Sequence, residues 1–261
     1  MNDPVFFRKW GVEMKKESIK DLIVFIVSFI LYYILGTGLI YLILKSIYDG
    51  NSNLFPAYLE NDAFIKRGLS NIAQLISSFI VLITLGLMYF KDLKGHFSFV
   101  KDYKLIFKTM GYALLVYFVT ICYNLFLPLA GGNGEDGSNV ALIKESMKQQ
   151  YWLMFVLVVV IGPIVEELLF RFIPFKSLKE NVSRTNLLII TSVVFTIPHM
   201  FALFNSSDFM GDLLALPKFL IVGWMLGSYY YKNNTIGRVI FVHILYNIIS
   251  FALMSVSLAL I

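Results

Sequence analysis

The stretch Gly162-Pro163-Ile164-Val165-Glu166-Glu167-Leu168-Leu169-Phe170-Arg171 sets two adjacent glutamates and an arginine at the end of a long apolar run. Each ionised residue deep in a membrane helix costs about 2.5–3.5 kcal/mol, so three together need partners or a task. Helical spacing sorts them. Residues four apart share a face, which puts Glu167 beneath Arg171, whereas Glu166 points roughly 100° away, on the face of Gly162 and Phe170. Glu167 can therefore be neutralised within its own helix. Glu166 must meet a neighbouring helix or a water-filled pocket, where it either completes a polar network or serves in proton transfer.

That the run crosses a membrane follows from the whole chain. Of 261 residues, 58% are hydrophobic and only 15% charged, and the mean hydropathy is +0.73, far too apolar for an ordinary soluble domain. Apolar runs long enough to span occur at about 22–44, 69–90, 106–130, 151–173, 186–205, 213–231 and 236–261. The expected fold is all-α: a polytopic membrane helix bundle of about seven transmembrane helices, a multi-pass protein of the cell membrane. The first run is too long for a signal-peptide core and lacks a small-residue cleavage site, so it reads as a retained anchor.

Charge orients the bundle. Segments around residues 8–20, 91–108, 171–184 and 232–238 hold sixteen lysines and arginines, and the alternate segments hold five. The positive-inside rule then makes the N-terminus cytoplasmic and the C-terminus external, in agreement with an odd helix count. The net charge of +5 does not indicate nucleic acid, because the bases are spread over one membrane face, where they act as topology signals and contacts to membrane lipid. One cysteine, Cys122, excludes an intramolecular disulfide and any CxxC site.

Four regions follow. Residues 1–20, with Phe6, Phe7 and Trp10 among lysines, read either as a cytoplasmic interfacial segment or as a solvated leader. Residues 21–130 read as a three-helix scaffold, interrupted by Asn71, Gln74 and Asn124. Residues 131–150, opening with Gly131-Gly132-Asn133-Gly134, read as a flexible extracytoplasmic loop. Residues 151–261 hold every unusual residue. His96, in an interfacial turn, is expected to be exposed and idle.

Two further stretches matter. Phe195-Thr196-Ile197-Pro198-His199 sets a histidine beside a proline that can bend the helix and admit water. His243-Ile244-Leu245-Tyr246-Asn247 stacks a histidine and an amide one turn apart, either as a polar stripe joining helices or as paired donors for an oxyanion. At 1.5 Å per residue, Glu166 and His243 fall roughly 8 Å from Arg171 and Arg238 at the cytoplasmic ends of their helices and His199 roughly 20 Å from Asn186, so their depths are expected to disagree.

Glu166-Glu167-x-x-x-Arg171, Phe195-x-x-x-His199 and His243-x-x-x-Asn247 together resemble the three ordered motifs of the CPBP intramembrane proteases, also called the Abi family. The likeness spans about residues 150–250. It implies an intramembrane endopeptidase in which Glu166 activates water with help from His199, His243 and Asn247 stabilise the oxyanion, and Glu167 and Arg171 support the site. The substrate would be a membrane-associated or hydrophobic peptide or protein, such as a bacteriocin or pheromone precursor or a prenylated CaaX protein.

No cofactor is favoured. Glu166, His199 and His243 could supply three zinc ligands, but there is no HExxH motif, and His243 with Asn247 have a use as donors in metal-free chemistry. Two readings from other classes compete. One is a non-catalytic membrane scaffold or immunity protein that binds a sensor kinase, transporter or toxin. The other is a transporter, which should carry repeats and a polar path on both sides; neither is evident.

Overall fold

The computed structural model describes residues 15–50, 62–130, 138–200 and 209–260. Seven helices run through them: α1 (Lys16–Tyr48), α2 (Asp62–Leu93), α3 (Tyr103–Phe126), α4 (Ser138–Leu178), α5 (Arg184–Met200), α6 (Phe209–Asn233) and α7 (Ile236–Ala259). No strand occurs among the described residues. Six of the seven are long and apolar enough to cross a membrane; α5 is described over 17 residues only. Large apolar side chains such as Leu87, Phe107, Leu114 and Leu125 face outward, Leu87 at 78% exposure. In water that surface would aggregate, whereas in a bilayer it is matched by its solvent.

Two boundaries differ from those the sequence suggests. Residues 138–150, expected as loop, are helical and continue into the fourth helix through a bend at Gln150 (φ −139°, ψ 56°), where the apolar run begins. Mixed polarity over Ser138–Gln149 conceals the helix from a hydropathy reading. The Gly-rich residues 131–137 lie outside the described part, as do residues 1–14 of the N-terminal segment; Lys16–Lys20 of that segment belong to α1.

The base-rich segments meet at one end. Lys15 pairs with Glu180, Lys176 with Asp92, and Lys179 donates to Asn234. Arg67–Glu145 and Lys144–Ser257 join at the opposite end. Among the described residues, two of these bases are buried. Arg171 is one; Arg238 is the other, bonding the Tyr229 hydroxyl at 2.6 Å, Asn233 Oδ1 at 2.8 Å and Thr109 Oγ1 at 3.1 Å. This network ties α3, α6 and α7 together at the basic end.

His96 is a joint rather than an idle surface residue. Its Nδ1 accepts a bond from the Ile236 N–H at 3.3 Å, and its ring stands edge-on to Phe172. A Cβ on Gly237 would lie 2.4 Å from the His96 carbonyl oxygen, so only glycine lets α7 start here. Close approach also seats α5 on α6. Cβ atoms on Gly223 and Gly227 would meet Ser192 Cα at 3.0 Å and Leu188 Cδ2 at 3.1 Å. A small-xxx-small pair on α6 thus lets two helices pack without a hydrophobic driving force between them.

Candidate active site

The Glu166–Arg171 stretch lies in α4, which is not a regular helix. A π-turn covers Phe155–Ile161 and another Leu168–Phe172, leaving Gly162–Glu167 as α-helix between them. The first turn has a local cause. The Gly162 N–H bonds the Leu157 carbonyl, five residues back, and a Cβ on Gly162 would lie 2.8 Å from that oxygen. In the same register Pro163 would bond Val158, but proline has no N–H. Asn247 Nδ2 bonds the Val158 carbonyl instead, at 2.7 Å. Half of the third motif therefore repairs a backbone break made by the residues just before the first.

Downstream, the Glu167–Arg171 pairing expected from helical spacing is present. Arg171 Nη1 donates to Glu167 Oε1 at 3.0 Å, with both side chains fully buried. The guanidinium carbon lies 4.0 Å from the centre of the Phe195 ring, and Nη2 reaches the Gly223 carbonyl at 3.5 Å. The close α5–α6 packing at Gly223 leaves that carbonyl within reach.

Glu167 Oε1 also takes His243 Nδ1 at 2.8 Å. Against a carboxylate Nδ1 must be the donor, which turns the other ring nitrogen outward. Nε2 faces Glu166 Oε2 at 3.8 Å, too far for a direct hydrogen bond. Glu166 retains 21% side-chain exposure, and Glu167 none. The two glutamates that helical geometry separates thus address opposite nitrogens of one imidazole.

His199 departs from the expected partnership. It stacks on Phe219 at 3.8 Å and 7°, with Phe195 edge-on beside it. The imidazole that Glu166 meets is His243's rather than His199's. The expected depth mismatch narrows because α4 runs to Leu178: Glu166 lies roughly 18 Å and His199 roughly 22 Å from the basic ends of their helices. His243 is roughly 10 Å from the start of α7, whose first residue rests on the His96 turn.

All four expected catalytic residues, Glu166, His199, His243 and Asn247, line one cavity of about 770 Å³. It runs away from the basic end, past Tyr117, Thr120 and Asn124 of α3 to Asn139 and Lys144 of α4 and Ser257 of α7. Between Glu166 and the basic end of α4, Phe170, Phe172, Ile173 and Phe175 are buried. Asn71, Gln74 and Asn124, read from sequence as breaks in a scaffold, also line the cavity, and so do Tyr32 and Tyr33 of α1. Their polarity inside apolar runs was the available signal.

Among the described residues, no three His, Cys, Asp or Glu side chains are grouped to hold a metal ion. The set Glu166, His199 and His243 does not fit a zinc ion in this arrangement.

Residues 148–249 match the family model described as Rce1-like, type II CAAX prenyl endopeptidase Rce1-like, which belongs to the CPBP/Abi group. No curated protein and no solved structure matches the chain. The matched segment begins within α4 and contains all three motifs.

Proposed function

We propose that this multi-pass member of the CPBP family, in its Rce1-like branch, hydrolyses a peptide bond of a membrane-associated or hydrophobic peptide, with Glu166 as general base and no metal ion. The observation that carries the reading is the division of labour between the two glutamates. Glu167 is consumed by Arg171 and His243, while Glu166 is open to the cavity and faces His243 Nε2 across 3.8 Å.

In the proposed reaction Glu166 takes a proton from water, and the water oxygen attacks the scissile carbonyl carbon. His243, held at Nδ1 by Glu167, turns Nε2 toward the developing oxyanion and stabilises it as an Nε2–H donor. Collapse expels the amine, which takes its proton from Glu166. Asn247 has a second Nδ2 hydrogen beyond the one given to Val158 and can share the oxyanion. His199 stands in the same cavity as a neutral, stacked imidazole that can orient the water or the peptide. Mixed amide, phenol and aliphatic walls suit a peptide backbone with apolar side chains.

The test compares host strains that carry wild type or Glu166→Gln at matched protein levels, by mass spectrometry of membrane and secreted peptides. A precursor that accumulates only in the variant supports the reading and identifies the substrate. Identical peptide profiles would overturn it and leave a binding role for the cavity.

A further inference from the structure

The first helix contributes to the same cavity although it lies outside the segment that carries the family match. The device is a π-turn over Leu31–Gly36. Such turns insert an extra residue and gather at functional sites, because they bring adjacent side chains to one face. Here they are Tyr32 and Tyr33, whose rings meet edge to face at 4.5 Å. Thr37 Oγ1 steadies the turn by donating to the Tyr32 carbonyl at 2.8 Å.

The two phenols differ in what they have to bond. Tyr32 OH accepts a bond from Ser78 Oγ at 3.4 Å. Tyr33 OH is buried and has no hydrogen-bond partner among the described residues. Its ring is positioned by Phe170, 6.2 Å away, and by Phe29, 5.1 Å away. Tyr33 lines the same cavity as Glu166. A buried hydroxyl of this kind is an offered donor.

We propose that Tyr33 is a further catalytic residue: its hydroxyl donates a hydrogen bond to the carbonyl oxygen of the peptide bound beside Glu166 and keeps that bond as the oxyanion forms. The need for it is visible on the other wall. Asn247 has given one of its two N–H donors to Val158, which leaves the oxyanion a single amide hydrogen beside His243 Nε2–H. Tyr33 adds a further donor from α1. This inference rests on the peptidase reading above.

The experiment sets wild type, Glu166→Gln and Tyr33→Phe side by side, each full-length and reconstituted in phosphatidylethanolamine–phosphatidylglycerol vesicles. The probe is an internally quenched farnesylated CaaX peptide, or, if wild type does not cleave it, the precursor that accumulates in Glu166→Gln membranes. Tyr33→Phe should lower kcat by about 10- to 100-fold with little change in KM, on the scale of losing one oxyanion donor. Because the hydroxyl has no partner to lose, thermal stability should stay equal or rise. A hydroxyl that served packing alone would give the opposite pair of results: reduced stability and a kcat close to wild type. With Glu166→Gln inactive, a Tyr33→Phe kcat within twofold of wild type overturns the role of Tyr33 and leaves the peptidase reading standing. If Glu166→Gln neither slows cleavage nor accumulates any precursor, the peptidase reading fails and this inference with it.

Discussion

Glu167 holds His243 by Nδ1 at 2.8 Å through the same oxygen that takes Arg171 at 3.0 Å. One carboxylate oxygen thus fixes the orientation of the imidazole and neutralises Arg171. Its neighbour Glu166 is left without a short contact and open to the cavity. Adjacent, chemically identical residues are separated by their surroundings into one buried, doubly paired carboxylate and one that faces the cavity.

Removing support should unfold the protein. Breaking a fully buried ion pair from one side strands the other charge, at a cost of about 3–5 kcal/mol. Arg171→Ala is expected to lose most of its folded population in detergent, read by thermal unfolding and size-exclusion profile. A well-folded Arg171→Ala chain would mean that Glu167 finds another cation.

Removing the reagent should leave the fold intact. Glu166→Gln keeps volume and removes a charge that has no short partner, so its melting temperature should match or exceed wild type. Cleavage should fall by about 100-fold or more, in line with loss of a general base. Glu167→Gln should lose both properties, since a neutral amide no longer holds His243 and Arg171 together. Equal stability losses in the two variants would contradict the division of roles.

Asn247 carries a structural duty in addition to any catalytic one. Asn247→Leu leaves the Val158 carbonyl unbonded beside Pro163, at a cost of about 1–3 kcal/mol for a buried unsatisfied group. Lowered thermal stability together with lost cleavage is expected. Loss of cleavage at wild-type stability would show that the Val158 bond contributes nothing to the fold.

The His96 joint makes the basic end of the bundle sensitive to acid. Burial, the larger influence, pushes the His96 imidazole below its ordinary value, against the opposing pull of Asp92. The folded state therefore favours the neutral ring that accepts from Ile236, and the unfolded chain takes up the proton first as pH falls. Stability from this group is present above the unfolded value of about 6.5 and is lost on acidification below it. Comparing thermal unfolding of wild type and His96→Gln at pH 7.5 and pH 5.5 isolates the effect. Wild type should lose more stability than the variant on acidification; parallel losses would remove His96 from the account.

Membrane class, seven helices, their alternation and the Glu167–Arg171 bond were legible in the sequence. Hydropathy over some twenty residues and i,i+4 spacing are local properties, and a bilayer enforces both. Residues of all three motifs line one cavity. Which imidazole meets which carboxylate was not legible, because that depends on where α7 sits against α4 and on two π-turns that shift the register of Glu166. Nor was the part played by α1. Tyr33 lies 133 positions before Glu166, and only the packing of α1 against α4, with its own extra-residue turn, brings the phenol into the cavity. Periodicity along one helix determines which side chains share a face; the tertiary fold decides what that face is turned toward.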